Sequence, residues 1–175
     1  NPTIISREGR KFDDILTDVT AIMKDGVVFA EVLSVDSEGM IEEGRRLAAK
    51  SPNIVVKIPM IPEGLKAVKT LSSEGVTVCV TVVYSAPQAI LAANAGASYV
   101  APFIGRMDDI GENGLNLAAE IREIFDAQGI DTKIVAASVR HPVHVIELAK
   151  MGVDVATMPF KVIMQMATNP NSQRA

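Results

Sequence analysis

The chain has 175 residues, 48% hydrophobic and 22% charged, with a formal net charge of −4. That is enough apolar material for one sizeable core. Interspersed Lys and Arg within an acidic balance exclude an electrostatic footprint for nucleic acid or an anionic membrane. One cysteine, Cys79, excludes an internal disulfide, no apolar run approaches the ~20 residues of a membrane span, and no charged-then-apolar leader opens the chain, so a reduced cytoplasmic protein is expected.

Residues 1–5 read as the tail of a strand and the loop after it. Over 11–24, Phe12, Ile15, Leu16, Val19, Ile22 and Met23 recur at helical spacing, with Gly26 closing the helix. A strand over 27–33 follows, then a helix over 37–50 with Ser37 as its N-cap and Ser51-Pro52 as its stop. Residues 53–59 are a continuous apolar run of strand type carrying one lysine, Lys57, near its carboxyl end. Pro62 suits the first turn of a helix to about Glu74, closed by Gly75. Strands over 77–82, 98–101, 133–137 and 153–157 then alternate with helices over 85–95, 115–127, 142–150 and 160–167. Gly111 to Gly114 is a polar loop, and the chain after Asn169 frays.

Strict alternation of six strands with helices predicts parallel βαβ units with right-handed crossovers. Two architectures compete, an eight-stranded barrel and a doubly wound open sheet. No strand is followed by a glycine-rich phosphate turn of the dinucleotide type, which favours the barrel. The expected fold is therefore α/β, a (β/α)8 TIM barrel over 1–175 as a single domain, starting inside its second strand and stopping shortly after its eighth.

In such a barrel catalytic groups sit where strands give way to βα loops. Those positions hold Asn1, Glu31, Lys57, Thr81, Phe103 with Arg106, and Ser138 with Arg140. A lysine in a strand buried on both faces loses hydration unless its proton affinity falls, and can then serve as an amine nucleophile; the alternative is a lysine that snorkels into solvent. Glu31 interrupts an apolar run at a cost of several kcal/mol unless it is hydrogen-bonded or functional. It suits general acid/base work through a water, or a purely structural ion pair with Lys57. Thr81 could hold that water or be a plain β-branched strand residue. Two forked guanidiniums, Arg106 and Arg140, with the Ser138 hydroxyl between them suit a phosphate monoester dianion. The alternative is two solvated arginines, one paired with Asp108 or Asp109. His141 and His144 open a helix with no third ligand, so no metal site is expected. Cys79 reads as a small core residue.

Asn-Pro-Thr-Ile-Ile at 1–5, Val-Val-Lys-Ile-Pro at 55–59, Ala-Pro-Phe-Ile-Gly-Arg-Met-Asp-Asp at 101–109, Ala-Ala-Ser-Val-Arg at 136–140 and Thr-Met-Pro-Phe at 157–160 together resemble the small transaldolase and fructose-6-phosphate aldolase family, over the whole chain and in the family's order. The resemblance implies a class I, metal-free, cofactor-free transferase. Lys57 matches the Schiff-base lysine, and Asn1 a residue that holds the donor sugar's hydroxyls. Thr81 and Glu31 match the pair that positions the catalytic water, and Arg106, Ser138 and Arg140 match the phosphate pocket. Family members that look like aldolases carry glutamine where Glu31 stands and tyrosine where Phe103 stands, so both positions point to transaldolase of the pentose phosphate pathway.

The resemblance further implies phosphorylated sugar substrates, a cytoplasmic homo-oligomer (pentamer or decamer), a proton-handling aspartate on the first strand and a C-terminal helix after this chain's end. A fructose-6-phosphate (dihydroxyacetone) aldolase and an inactive sugar-phosphate binding protein are the alternatives.

Overall fold

A computed structural model of the chain describes residues 9–174, so the expected strand tail at 1–5 and Asn1 lie outside the described residues. The described chain divides into two compact units, one running up to Thr81 together with Leu91–Ser98, the other comprising Val82–Ile90 and Tyr99 onward.

The first unit holds α1 (Phe12–Ile22), β1 (Val28–Glu31), α2 (Ser37–Ala48), β2 (Ile54–Pro59), α3 (Pro62–Ser73) and most of β3 (Val78–Val83). The β1–β2 register runs from Val28↔Ile54 to Glu31↔Lys57, and β2–β3 from Val56↔Val78 to Pro59↔Thr81, both parallel. The apolar, β-branched runs of β2 and β3 are buried almost throughout, as strands covered on both faces must be. Met40, Leu47, Ile58, Val68 and Leu71 fill the core, and Arg45 forks onto Glu74 to tie α2 to the end of α3. Asn53 donates from Nδ2 to the carbonyls of Met23 and Gly26, which fixes where β2 starts.

Gly64, in the first turn of α3, sits so close to the end of β2 that a Cβ would lie 2.1 Å from the Pro59 carbonyl oxygen. Gly64→Ala must therefore shift backbone rather than a side chain. Its expected cost is about 1–3 kcal/mol, read as a thermal transition lowered by several degrees; an unchanged transition would contradict this packing.

The second unit holds the start of α4 (Ala86–Ala95), then β4 (Tyr99–Pro102), α5 (Ile104–Asp108), α6 (Gly114–Gln128), β5 (Lys133–Ala136), α7 (Pro142–Lys150), β6 (Val155–Ala156) and α8 (Phe160–Ala167). Parallel pairs Tyr99↔Lys133 and Val100↔Ile134 join β4 to β5, an isolated bridge Phe103↔Ala137 extends them, and Val135↔Val155 and Ala136↔Ala156 join β5 to β6. Ile104, Ala118, Ala136, Val139 and Leu148 make this unit's core. The Asp154 carboxylate accepts from the Ile134 N–H and pairs with Arg122, which also pairs with Asp126.

Three local expectations shift. The N-cap of α2 is Asp36, whose carboxylate accepts from the Gly39 N–H at 2.8 Å, and Ser37 is the first helical residue. Asp36 takes the role because a carboxylate there also meets the positive end of the helix. The strand expected over 27–33 ends at Glu31, and Leu33 is exposed. Residues 104–108 form a short helix, where strand and loop alone are expected; five residues are too few to show a helical period.

Candidate active site

Glu31 and Lys57 stand opposite one another in the β1–β2 register, so their side chains leave the same face of the strands. Lys57 Nζ lies 3.8 Å from Glu31 Oε2, and the two side chains are only 15% and 17% exposed. Cys79 is the β3 partner of Lys57, and Thr81, two residues on, repeats its face at the carboxyl end of β3. Burial pushes the Cys79 thiol up to about 12, against the pull of the Lys57 charge and helped by that of Glu31. It is thus a neutral core thiol. Thr81 is fully buried, and among the described residues its Oγ1 has no hydrogen-bond partner. A buried hydroxyl left without a partner costs about 1–3 kcal/mol.

The loop after β1 is fastened by a residue that sequence reading passes over. Glu43 on α2 accepts from the Leu33 N–H at 2.6 Å, the Ser34 N–H at 3.3 Å and the Ser34 hydroxyl at 2.6 Å. Burial alone would raise this carboxyl, but the Ser34 hydroxyl and the two backbone N–H groups, helped by the Arg46 charge, hold it below the usual carboxylate range. A carboxyl depressed in the fold contributes stability that is full above its unfolded value of ~4.3 and lost as pH falls through the lower folded value. The Leu33 and Ser34 amide resonances are therefore expected to titrate with a midpoint below ~4.3 in the native protein and not to titrate in Glu43→Gln; a midpoint at or above it would contradict the assignment.

The second unit carries Arg106 and Arg140. Phe103 precedes α5, the Arg106 guanidinium lies over its ring at 5.2 Å, and Tyr84 meets that ring edge-on at 5.7 Å between centroids. Arg106 is exposed. Arg140 Nε donates to Ser138 Oγ at 3.3 Å, and its Nη2 pairs with Asp109 at 2.7 Å, so one of the two arginines does pair with one of the two aspartates weighed for it. Ser138 has φ 59° and Val82, beside Thr81, has φ 62°; among the described residues they alone combine positive φ with a side chain. Such strain concentrates at binding loops and ligand clamps. His144 lies at the foot of the Ser138–Arg140 loop, and burial, then the charges of His141 and Arg140, hold its imidazole below its ordinary value against the pull of Asp108.

The structure thus brings Glu31, Lys57 and Thr81 to the carboxyl ends of β1, β2 and β3, and gathers Phe103, Arg106, Ser138 and Arg140 after β4 and β5. His144, Asp108 and Glu43 carry supporting roles that spacing does not reveal, since each depends on a neighbour distant in the chain or on a helix turn that only the fold supplies.

Parallel βα repeats with the candidate side chains at the strands' carboxyl ends define a (β/α)-barrel protein, of which six strands are described. Solved structures agree on that fold. Mandelate oxidase with 3,3-difluoro-2-hydroxy-3-phenylpropionic acid superposes with a TM-score of 0.59 at 13% identity, over 82% of this chain and 51% of that one. The family model for transaldolase/fructose-6-phosphate aldolase matches residues 1–175, and the chain belongs to that family. It is 56% identical to a probable transaldolase of Agathobacter rectalis over 172 residues, 97% of this chain and 79% of that protein. It is 52% identical to a probable transaldolase of Methanococcus maripaludis over 170 residues, again 97% and 79%.

Proposed function

We propose that the protein is a transaldolase that carries a dihydroxyacetone unit on Lys57, moving it from a ketose phosphate (fructose 6-phosphate or sedoheptulose 7-phosphate) to an aldose phosphate. The observation that carries this reading is the sheltered Lys57–Glu31 pair together with the orphaned Thr81 hydroxyl on the neighbouring β3. The free amine of Lys57 adds to the ketose C2 carbonyl, giving a carbinolamine. Glu31, through a water held by Thr81, delivers the proton with which the hydroxyl departs as water, leaving a protonated imine.

Cleavage of the C3–C4 bond sends its electron pair into that imine to give an enamine, and the C4 hydroxyl proton goes to the aspartate that the resemblance assigns to the family's first strand. The aldehyde product leaves. The enamine adds to the carbonyl of an aldose phosphate, whose oxygen takes the proton back from that aspartate, and hydrolysis of the resulting imine by water returns the amine and releases the new ketose phosphate.

Phe103 offers no hydroxyl to protonate the enamine, so the bound three-carbon unit waits for an acceptor instead of leaving as dihydroxyacetone. Arg106, Ser138 and Arg140 bind the phosphate, with Asp109 as the counter-ion that the incoming dianion replaces on Arg140. In the same reading Asn1 holds donor hydroxyls, and the enzyme is a cytoplasmic homo-oligomer of the pentose phosphate pathway.

Borohydride reduction of the full-length protein with fructose 6-phosphate is expected to add the reduced sugar fragment to Lys57. No mass gain would leave a sugar-phosphate binder, and an adduct on Lys66 or Lys69 would remove Lys57 from the chemistry. With fructose 6-phosphate alone, steady release of dihydroxyacetone would make the protein an aldolase.

A further inference from the structure

We propose that His144 is a positioning residue for the sugar phosphate: it clamps the Ser138–Arg140 loop to α5 and so presents Arg140 and Ser138 to the dianion. The inference rests on the phosphate role given above to those two residues.

The His144 side chain is 5% exposed, with Nε2 3.0 Å from Asp108 Oδ2. Its Nδ1 accepts the backbone N–H of Arg140 at 3.3 Å. A backbone N–H can only donate, so Nδ1 carries no proton, and the ring's one hydrogen sits on Nε2, pointed at Asp108. Both ring nitrogens are therefore committed, one to the loop and one to α5. A histidine buried only as core filler would not need that arrangement.

Asp108 is itself fixed, because Oδ1 accepts the Gly114 N–H at 3.0 Å and so ties the end of α5 to the start of α6. On the far side of the loop, the Ser138 carbonyl accepts the Gly105 N–H at 3.1 Å. A Cβ at Gly105 would stand 2.3 Å from that carbonyl oxygen and 2.6 Å from Arg140 Cγ and Nε, so the loop lies directly on α5. The left-handed backbone at Ser138 is a conformation that a side-chain-bearing residue holds only when its surroundings force it. His144 and Gly105 supply that force from two directions.

Without the imidazole, the Arg140 N–H loses its acceptor, the loop relaxes toward ordinary backbone angles, and the Arg140 fork no longer arrives beside Ser138 Oγ. His141 lies against His144 with 3.8 Å between centroids and its plane tilted by 41°, and it accepts the His144 backbone N–H as the N-cap of α7.

The test compares His144→Ala, His144→Asn and His144→Gln with Arg140→Ala, in full-length protein. It measures turnover of fructose 6-phosphate with erythrose 4-phosphate, and borohydride trapping of dihydroxyacetone, which has no phosphate. His144→Ala is expected to raise KM for fructose 6-phosphate about tenfold with kcat and half-saturation by dihydroxyacetone within about twofold of native. Asparagine places an oxygen near the position of Nδ1 and should recover most of the loss; glutamine restores only the group facing Asp108 and should not.

Equal loss for both ligands overturns the proposal, as does asparagine no better than glutamine. So does failure of all three variants to fold, which would make the role structural. A phosphate-selective defect in Arg140→Ala that His144→Ala lacks overturns His144's role and leaves the phosphate site standing. No phosphate selectivity in Arg140→Ala removes the phosphate site and this inference with it.

Discussion

Lys57→Met is expected to lower transaldolase turnover by at least about 10³-fold, to abolish borohydride trapping, and to leave the thermal transition near that of the native protein. The size follows from the chemistry, since without an amine no imine forms and the electrons of the breaking carbon bond have no acceptor. The preserved fold follows from the site. Lys57 pairs with Glu31 at 3.8 Å, both side chains remain partly open to solvent, and a methionine of similar length fills the same space. Removing the ammonium does leave Glu31 without its partner, so Lys57→Met with Glu31→Gln is the informative control, expected to be equally inactive and at least as stable. Turnover surviving in Lys57→Met within tenfold of native would end the Schiff-base reading.

Arg106→Ala is expected to raise KM for fructose 6-phosphate about 10- to 150-fold while changing half-saturation by dihydroxyacetone less than twofold, since a charge-assisted contact is worth about 1.5–3 kcal/mol. Arg106 is the freer of the two arginines. Its guanidinium rests on the Phe103 ring at 5.2 Å, whereas Arg140 is already engaged by Asp109 at 2.7 Å. An aromatic face orients the planar fork without occupying its N–H donors, and lysine cannot reproduce both properties, so Arg106→Lys should recover only part of the loss. Equal effects on the two ligands would take Arg106 out of the phosphate site. Phe103→Leu should mimic a fraction of the Arg106 defect through the lost stacking surface.

Much of this could be read from the linear chain because the signals are local. A lone lysine in the apolar run 53–59 and a lone glutamate in 27–33 stand out against their neighbours, and parallel strands bury both faces, so an ionisable group there demands a reason. Breakers and glycines delimit the helices for the same local reason; α7 and α8 match expectation residue for residue, and Gly129 closes α6 at φ 63°. The short α5 and the Asp36 cap were not legible, since both depend on a single turn of backbone geometry.

The linear chain by itself determined the βα alternation and the family, and it marked Lys57, Glu31, Arg106 and Arg140 as candidates, because those are matters of residue type and spacing. Tertiary structure alone decided that Glu43 fastens the loop after β1, that Asp109 rather than Asp108 pairs with Arg140, and that Asp108 instead meets His144. Hydrogen bonds form within about 3 Å and depend on direction, and no periodicity in the sequence encodes which of two adjacent carboxylates turns toward a given donor.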